Sequence, residues 1–190
     1  MGKVTVLIST TPDGFAESQD VIIDPEFFEL THSLMSVSDT VLFGRETFEM
    51  FQDRWPERLL DKDTPEFVRK MAQALHDIPK IVYSSSLKTT KWNKSTIIKK
   101  IDADYIKSFK ENGKGGLLTF GSLSLIESLT EMNLVDDYYF NIQPLIAGRG
   151  EARFFKKMNL NAPHPLKYVD YKHMASGAHV IHYQNGESNL

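Results

Sequence analysis

The chain has 190 residues, 41% hydrophobic and 25% charged, which is typical of one ordinary globular domain and excludes a disordered or fibrous protein. A net charge of −3 without a long basic run argues against a nucleic-acid binder, and the absence of cysteine excludes disulfides, thiolate metal sites and cysteine nucleophiles. No apolar run is long enough for a signal peptide or a membrane span. We therefore expect a cytoplasmic protein with no membrane partner, folded as a single domain over residues 1–190.

Short β-branched runs alternate with helical patterns along the chain. The predicted strands cover 4–8, 40–43, 80–84, 96–101, 116–120 and 137–145, and strands 166–174 and 178–183 form a terminal hairpin through Ala175-Ser176-Gly177. Helices are predicted to start at Asp24-Pro25, at Gly44 (a short one), at Thr64-Pro65, at Asp102 and at Gly121-Ser122. The Asp102 helix should turn Tyr105, Ile106 and Phe109 inward. This order predicts an α/β fold of three layers (α/β/α), with a mostly parallel central sheet and a C-terminal antiparallel hairpin.

Four predicted strands run into short polar sequences, 10–14, 44–47, 84–86 and 121–124. In an open α/β sheet the ligand site lies beyond the carboxyl ends of the strands, where helix N-termini converge. Gly44-Arg45-Glu46-Thr47 combines a glycine, a guanidinium and a hydroxyl, which suits a phosphate but also fits an ordinary helix cap with a surface arginine. Gly121-Ser122-Leu123-Ser124 is a second sequence of this kind.

Other catalytic arrangements are poorly represented. His179 and His182 are three residues apart in a predicted strand, so their side chains point to opposite faces and no metal site is expected. The spacings of a P-loop, a Rossmann fingerprint and a serine-hydrolase elbow do not occur. Any chemistry should therefore come from a bound cofactor.

The polar strand ends, in this order, resemble a known family. They are Thr11-Pro12-Asp13-Gly14, Asp39 to Thr47, Lys80 to Ser85, Phe120-Gly121-Ser122, Leu134 to Tyr138, and Pro144 to Gly150 followed by Phe154. This set resembles the dihydrofolate-reductase-like superfamily, and specifically stand-alone relatives of the riboflavin-biosynthesis reductase (RibD C-terminal) domain. The resemblance covers nearly the whole chain and implies the fold already predicted.

The resemblance implies NADPH as cofactor. Its phosphates would lie against Gly44, Arg45, Glu46 and Thr47 and against Gly121, Ser122, Leu123 and Ser124, with Arg45 near the adenosine 2′-phosphate. Ser84, Ser85 and Ser86 would line the adenosine ribose, and Lys99 would add charge there. Thr10 and Thr11 would border the nicotinamide.

Two departures from dihydrofolate reductases concern the substrate. This chain has Gly121-Ser122 in place of a glycine pair, and Phe28 in place of the acidic residue that engages the pterin, although Glu26 and Glu29 lie near enough to supply an acid under a shifted register. Asp13 either orients a substrate hydroxyl, as a candidate catalytic residue, or simply forms the Pro12-Asp13-Gly14 turn.

Three aromatic residues, Phe28, Phe51 and Trp55, either wall a substrate pocket or belong to the core. Tyr138-Tyr139-Phe140 either contributes to a homodimer, which the resemblance implies, or is buried within one chain.

The resemblance thus implies an NADPH-dependent reductase that transfers a hydride to a small heterocyclic or sugar-derived substrate. The first candidate is an aminopyrimidine ribosyl phosphate such as 5-amino-6-(5-phosphoribosylamino)uracil, from riboflavin biosynthesis, and the second is an unrelated small carbonyl or imine compound. The alternative is a non-catalytic NADP(H)-binding module or sensor, and a dihydrofolate reductase is less favoured.

Overall fold

A computed structural model describes residues 2–22 and 24–186. The strands are β1 (Val4–Thr10), β2 (Ser38–Gly44), β3 (Lys80–Tyr83), β4 (Ser95–Ile98), β5 (Gly116–Phe120), β6 (Asp137–Ile142), β7 (Leu166–His173) and β8 (His179–Asn185). The helices are α1 (Pro25–Ser36), α2 (Arg45–Leu60), α3 (Glu66–Asp77), α4 (Ala103–Asn112) and α5 (Leu123–Glu131). A short 3-10 turn at Ser18–Asp20 precedes α1.

The eight strands form one sheet in the order β4-β3-β2-β5-β1-β6-β8-β7. The first six in this order are mutually parallel, and β8 pairs antiparallel with both β6 and β7. The predicted mostly parallel sheet with a terminal antiparallel hairpin is therefore confirmed. Because the parallel strands share a direction, their carboxyl ends meet at one edge of the sheet.

Alternate side chains of the strands fill two cores, one on each face of the sheet. Helices α1, α2 and α3 cover one face, where Met35, Phe48 and Leu75 pack against strand residues such as Phe43. Helices α4 and α5 cover the other face. The two helical layers hold the sheet rigid beneath its carboxyl edge.

The C-terminal hairpin is fastened to the start of α1. Asp24 caps this helix by accepting a hydrogen bond from the Glu26 backbone N–H, and its other oxygen accepts one from the Ser176 N–H. The Glu26 carboxylate accepts a hydrogen bond from the Ala175 N–H. Burial acts to raise the pKa of Asp24, but the hydrogen bonds from Ser176 and Glu26 outweigh it and lower the pKa.

Several predicted boundaries are wrong. The strand predicted at 96–101 is Ser95–Ile98, and the one predicted at 137–145 ends at Ile142, because Pro144 has no N–H to continue the ladder. Helix α2 is not short but has 16 residues, with Pro56 inside it.

Two predicted side-chain roles are also wrong. Tyr105 is 45% exposed, because Ile106 takes the position facing the core. Thr64 does not cap α3: Pro65 is the N-cap residue, and the Thr64 hydroxyl donates to the Asp61 carboxylate. In the described part of the chain, no helix is long and apolar enough to cross a membrane.

Candidate functional site

A cleft of about 1660 Å³ opens at the carboxyl edge of the sheet. The strand ends contribute Leu7 and Ser9 from β1, Gly44 from β2, Tyr83 from β3 and Phe120 from β5. Typical small-molecule pockets measure about 300–1,000 Å³, so this cleft has room for a dinucleotide and a second ligand.

Three of the four polar strand ends line this cleft. The lining residues predicted from the sequence are Gly44, Arg45, Glu46, Thr47, Ser84, Ser85, Ser86, Lys99, Gly121, Ser122, Leu123, Ser124, Phe28, Phe51 and Trp55. Thr10, Thr11 and Asp13 are not among the cleft-lining residues.

Ser122 joins the ends of β2 and β5. Its hydroxyl oxygen accepts a hydrogen bond from the Gly44 backbone N–H at 2.9 Å, and the residue is only 3% exposed. Gly121, directly before it, has a φ of +50°, a conformation that glycine adopts without strain. The two glycine-containing sequences therefore form one continuous rim.

The helices that start at this rim lack side-chain caps. No side-chain oxygen accepts a hydrogen bond at the N-terminus of α2 or of α5. Helices α1 and α4 are each capped by an aspartate, whereas α3 also lacks a side-chain cap. The first-turn N–H groups of α2 and α5 thus remain available for an anion, which the helix dipole also favours.

Basic side chains outnumber acidic ones along the cleft. The cations are Arg45, Arg54, Arg58, Lys99, Lys100, Arg153, Lys156 and Lys157, and the carboxylates are Glu17, Glu46, Glu127 and Glu151. The cleft lining therefore carries a charge of +4 on a chain whose net charge is −3. Such a concentration of one sign attracts anionic ligands.

Arg45 is held in place by two carboxylates. Its guanidinium nitrogens lie 2.8 Å from the Glu49 carboxylate and 3.0 Å from that of Glu46. The side chain is still 41% exposed, so part of its donor fork faces the cleft.

The three serines after β3 have different environments. The Ser84 hydroxyl accepts hydrogen bonds from the backbone N–H groups of Ser86 and Leu87, so it stabilises the turn. Ser85, Ser86 and Lys99 are exposed. These three residues, like the neighbouring Lys100, are available to a ligand at this end of the cleft.

Asp13 fastens one loop to another. Its carboxylate accepts hydrogen bonds from the Thr11 hydroxyl at 2.6 Å and from the backbone N–H groups of Gly148 at 2.7 Å and Ala147 at 3.2 Å. The Thr11 and Gly148 hydrogen bonds lower the pKa of Asp13 to about 2. Thr10 is likewise occupied, since its hydroxyl donates to the Phe15 carbonyl. These contacts give the turn a structural role.

Aromatic side chains line another part of the cleft. Phe28 and Phe51 each pack against Trp55, at ring-centroid distances of 6.1 and 5.8 Å. All three also pack against the core cluster on this face of the sheet, so wall and core are continuous. Glu26 and Glu29 do not line the cleft.

Sequence reasoning missed several lining residues. Arg54 and Arg58 are in the second half of α2, which the predicted short helix at Gly44 does not include, and Arg153, Lys156 and Lys157 follow β6 in a segment without a regular helix or strand. The sequence predicts Tyr83 as a strand residue and gives it no role in ligand binding. Its buried hydroxyl has no hydrogen-bond partner within the described residues, and burial raises the pKa of Tyr83 to about 12. Of these lining residues, only Tyr83 could have been predicted from the sequence, because it lies near the end of a predicted strand.

The three histidines of the terminal hairpin, His173, His179 and His182, lie outside the cleft. His179 contacts His173 at 3.1 Å, whereas His182 contacts the Asp137 carboxylate at 2.7 Å. Within residues 2–22 and 24–186, no group of three potential metal ligands comes together.

The fold and the cleft define a class: an open, mostly parallel α/β protein with a cationic, dinucleotide-sized site at its strand ends. The model of the RibD C-terminal domain family matches residues 3–181. The chain belongs to this family.

Three similar proteins span most of the chain. YyaP of Bacillus subtilis strain 168, an uncharacterized protein, is 25% identical over 97% of this chain and 96% of its own length. Dihydrofolate reductase from Enterococcus faecalis, solved with NADP(H), has a TM-score of 0.62 at 12% identity, covering 98% of each chain. The Thermotoga maritima diaminohydroxyphosphoribosylaminopyrimidine deaminase/5-amino-6-(5-phosphoribosylamino)uracil reductase has a TM-score of 0.66 at 15% identity, over 97% of this chain and 57% of that one.

Proposed function

We propose that the protein is an NADPH-dependent reductase that transfers a hydride to a small heterocyclic or sugar-derived substrate. The observation that carries this proposal is the cleft lining, which combines eight cations and four carboxylates with two helix N-termini that lack side-chain caps. A dinucleotide diphosphate supplies the negative charge that this arrangement lacks. Membership in the RibD C-terminal domain family supports the same cofactor class.

The uncapped ends of α2 and α5 would hold the cofactor's diphosphate. Arg45 would contact the adenosine 2′-phosphate, with Ser85, Ser86 and Lys99 beside the adenosine. With the adenosine on the β3–β4 side, the nicotinamide extends the other way, toward β1. The bound nicotinamide supplies the hydride. The chain's own part is to orient the cofactor and to exclude water with the aromatic wall.

The substrate we propose is an aminopyrimidine ribosyl phosphate, as in riboflavin biosynthesis. The aromatic wall suits a flat ring, and Arg54 and Arg58 on α2 offer charge for a phosphate. The name of the Thermotoga maritima relative supports this substrate class.

Calorimetric titration tests cofactor binding. We expect NADPH to bind more tightly than NADH, since only NADPH carries the 2′-phosphate. Arg45→Ala should weaken NADPH binding about 10- to 150-fold and leave NADH nearly unchanged, because a hydrogen bond to a charged group contributes about 1.5–3 kcal/mol. Arg149→Ala, an exposed arginine outside the cleft, is the matched control. Equal losses for the two cofactors would contradict this placement.

Turnover separates an enzyme from a sensor. NADPH oxidation is followed by absorbance over a panel of pyrimidines, pterins and small carbonyl compounds. We expect turnover with a pyrimidine. Tight NADPH binding without turnover of any panel member would instead support a non-catalytic module.

We also propose that the protein is a homodimer, through β7 rather than through Tyr138-Tyr139-Phe140. Strand β6 lies between β1 and β8, and Tyr138 is 1% exposed, so burial within one chain accounts for these aromatics. The edge strand β7 has all eight side chains exposed, including Tyr168 and Tyr171 at 55% and 64%. Exposed apolar edges invite pairing with another strand.

A two-fold antiparallel pairing of two β7 strands also matches charges. When Tyr171 of one copy lies opposite Tyr171 of the other, Lys172 lies opposite Asp170. Light scattering should then give twice the chain mass, and Tyr171→Lys should reduce it to one; a monomeric wild type would refute the dimer.

A further inference from the structure

We propose that Ser9, oriented by Asn141, donates a hydrogen bond to a ring carbonyl of the substrate heterocycle and so helps to determine substrate specificity. This inference rests on the proposed function, because it assigns a ligand to the part of the same cleft that lies between β1 and α1. It adds a specificity residue where the sequence offered none.

Ser9 is a polar group in a mainly apolar part of the cleft. Here β1 contributes Leu7 and Ser9, and α1 contributes Phe27, Phe28 and Thr31. The Thr31 hydroxyl donates to the Phe27 carbonyl at 2.8 Å and is therefore occupied within its own helix. Ser9 is left as the hydroxyl that can serve a ligand on this wall.

Asn141 fixes the direction of the Ser9 hydroxyl. The two residues are paired across β1 and β6, and the Asn141 amide nitrogen donates to the Ser9 Oγ at 2.9 Å. Because Oγ accepts this hydrogen bond, the Ser9 proton is free to point toward the cleft.

The side chain of Asn141 is buried, and only one end of its amide forms a hydrogen bond within the described residues. It is 1% exposed, and its Oδ1 has no hydrogen-bond partner among the described residues. Burying an amide that is only half satisfied costs stability, which is consistent with a role in the site rather than in the core.

The charge of this region indicates the class of ligand. Neither β1 nor α1 contributes a carboxylate to the cleft, so nothing there favours a cationic ring. A hydroxyl donor in a cleft that is also lined by Phe28 and Trp55 suits a flat, uncharged ring with a carbonyl acceptor. This is the chemistry of a pyrimidinedione.

The test measures binding of two ring probes by ligand-observed NMR titration, with and without saturating NADP⁺. Uracil carries ring carbonyls, whereas 1,3-diaminobenzene has the same ring size with amino donors instead. We expect the wild type to prefer uracil, and Ser9→Ala to weaken uracil about 3- to 10-fold while leaving 1,3-diaminobenzene unchanged. Thr31→Val is the matched control and should leave the uracil affinity unchanged.

Asn141→Asp tests the positioning role. A carboxylate accepts the Ser9 proton, which leaves the Ser9 oxygen as an acceptor, so the preference should reverse toward 1,3-diaminobenzene. A residue that only stabilises the fold would lower both affinities together. Thermal unfolding of each variant checks that it folds, and Ser9→Cys, a much weaker donor, replaces Ser9→Ala should the latter not fold.

The inference is overturned when uracil does not bind the wild type, when Ser9→Ala binds uracil as tightly as the wild type, or when Thr31→Val loses as much affinity as Ser9→Ala. These outcomes are distinct from failure of the proposed function. The probes are titrated without cofactor as well as with it, and NADPH affinity is measured separately.

Discussion

Replacement of the buried Lys80 by methionine should change how the stability of the protein depends on pH. Lys80 is 1% exposed, and its Nζ donates to the Leu75 and Ile78 carbonyls at 2.6 and 2.8 Å, at the C-terminal end of α3. The ammonium also lies 4.7 Å from the centre of the Trp92 ring. Burial, and to a smaller extent the nearby charge of Lys94, lowers the pKa of Lys80 from 10.5 to about 8.

The sign and size of the effect follow from this pKa. Between pH 8 and 10.5 the unfolded lysine binds a proton that the folded lysine has lost, so stability rises with pH. The pKa difference is equivalent to about 3 kcal/mol in total, of which about 1 kcal/mol should appear between pH 7 and pH 9. Tyr83, Tyr138 and Tyr139, whose pKa values burial raises to about 12, lower stability only at higher pH, so this window isolates Lys80.

Urea unfolding at pH 7, 8 and 9 is the assay. The free energy of unfolding of the wild type should rise by about 1 kcal/mol across this range relative to that of Lys80→Met, which has no proton to lose. If the free energy of unfolding of the wild type changes with pH in parallel with that of Lys80→Met, the reasoning is refuted. It is also refuted if the wild type loses stability relative to Lys80→Met as the pH rises, because the sign of the effect is then the opposite of the one predicted.

Two further predictions concern the loops around the cleft. Ser122→Ala leaves the Gly44 N–H without its hydrogen-bond partner, so we expect urea unfolding to show a loss of about 1–3 kcal/mol of stability, and NADPH to bind more weakly. Ser108→Ala is the control. Unchanged NADPH affinity in Ser122→Ala would contradict the role of the rim in cofactor binding. Asp13→Asn should speed amide exchange at Gly148 and leave NADPH affinity unchanged. The control Asp63→Asn should leave both the exchange rate at Gly148 and the NADPH affinity unchanged. In the wild type, the ionised Asp13 carboxylate should protect the Gly148 amide from exchange. Because the pKa of Asp13 is lowered to about 2, this protection should persist above pH 3.8 and be lost as the pH falls through 2. Protection of Gly148 that does not change with pH would contradict this prediction.

The strand ends were predictable because each follows a short buried run in the chain. The short, mainly apolar run 116–120 is predicted as a strand, and the structure has it as β5. Gly121-Ser122, which follows it directly, must therefore lie at the carboxyl end of this strand. Since parallel strands share an edge, the sequences at 44–47 and 121–124 were expected together, and both line the cleft.

Contacts between distant segments were not predictable. Asp13 meets Gly148, and Ser9 meets Asn141, across more than 130 residues of sequence. The cations after β6 are likewise brought to the cleft by a loop without regular structure, for which no periodicity exists. Tyr105 shows the limit of periodicity itself, because a helical stripe does not tell which of two adjacent apolar residues faces the core.

The central claim is that the rim formed by α2 and α5 binds a dinucleotide phosphate. Hydrogen exchange of the protein with and without NADPH tests it most directly. We predict added protection of the backbone amides of residues 45–47 and 122–124, where the helix N-termini have no side-chain caps. Binding of NADPH with protection confined to other segments, or no binding at all, would contradict the account.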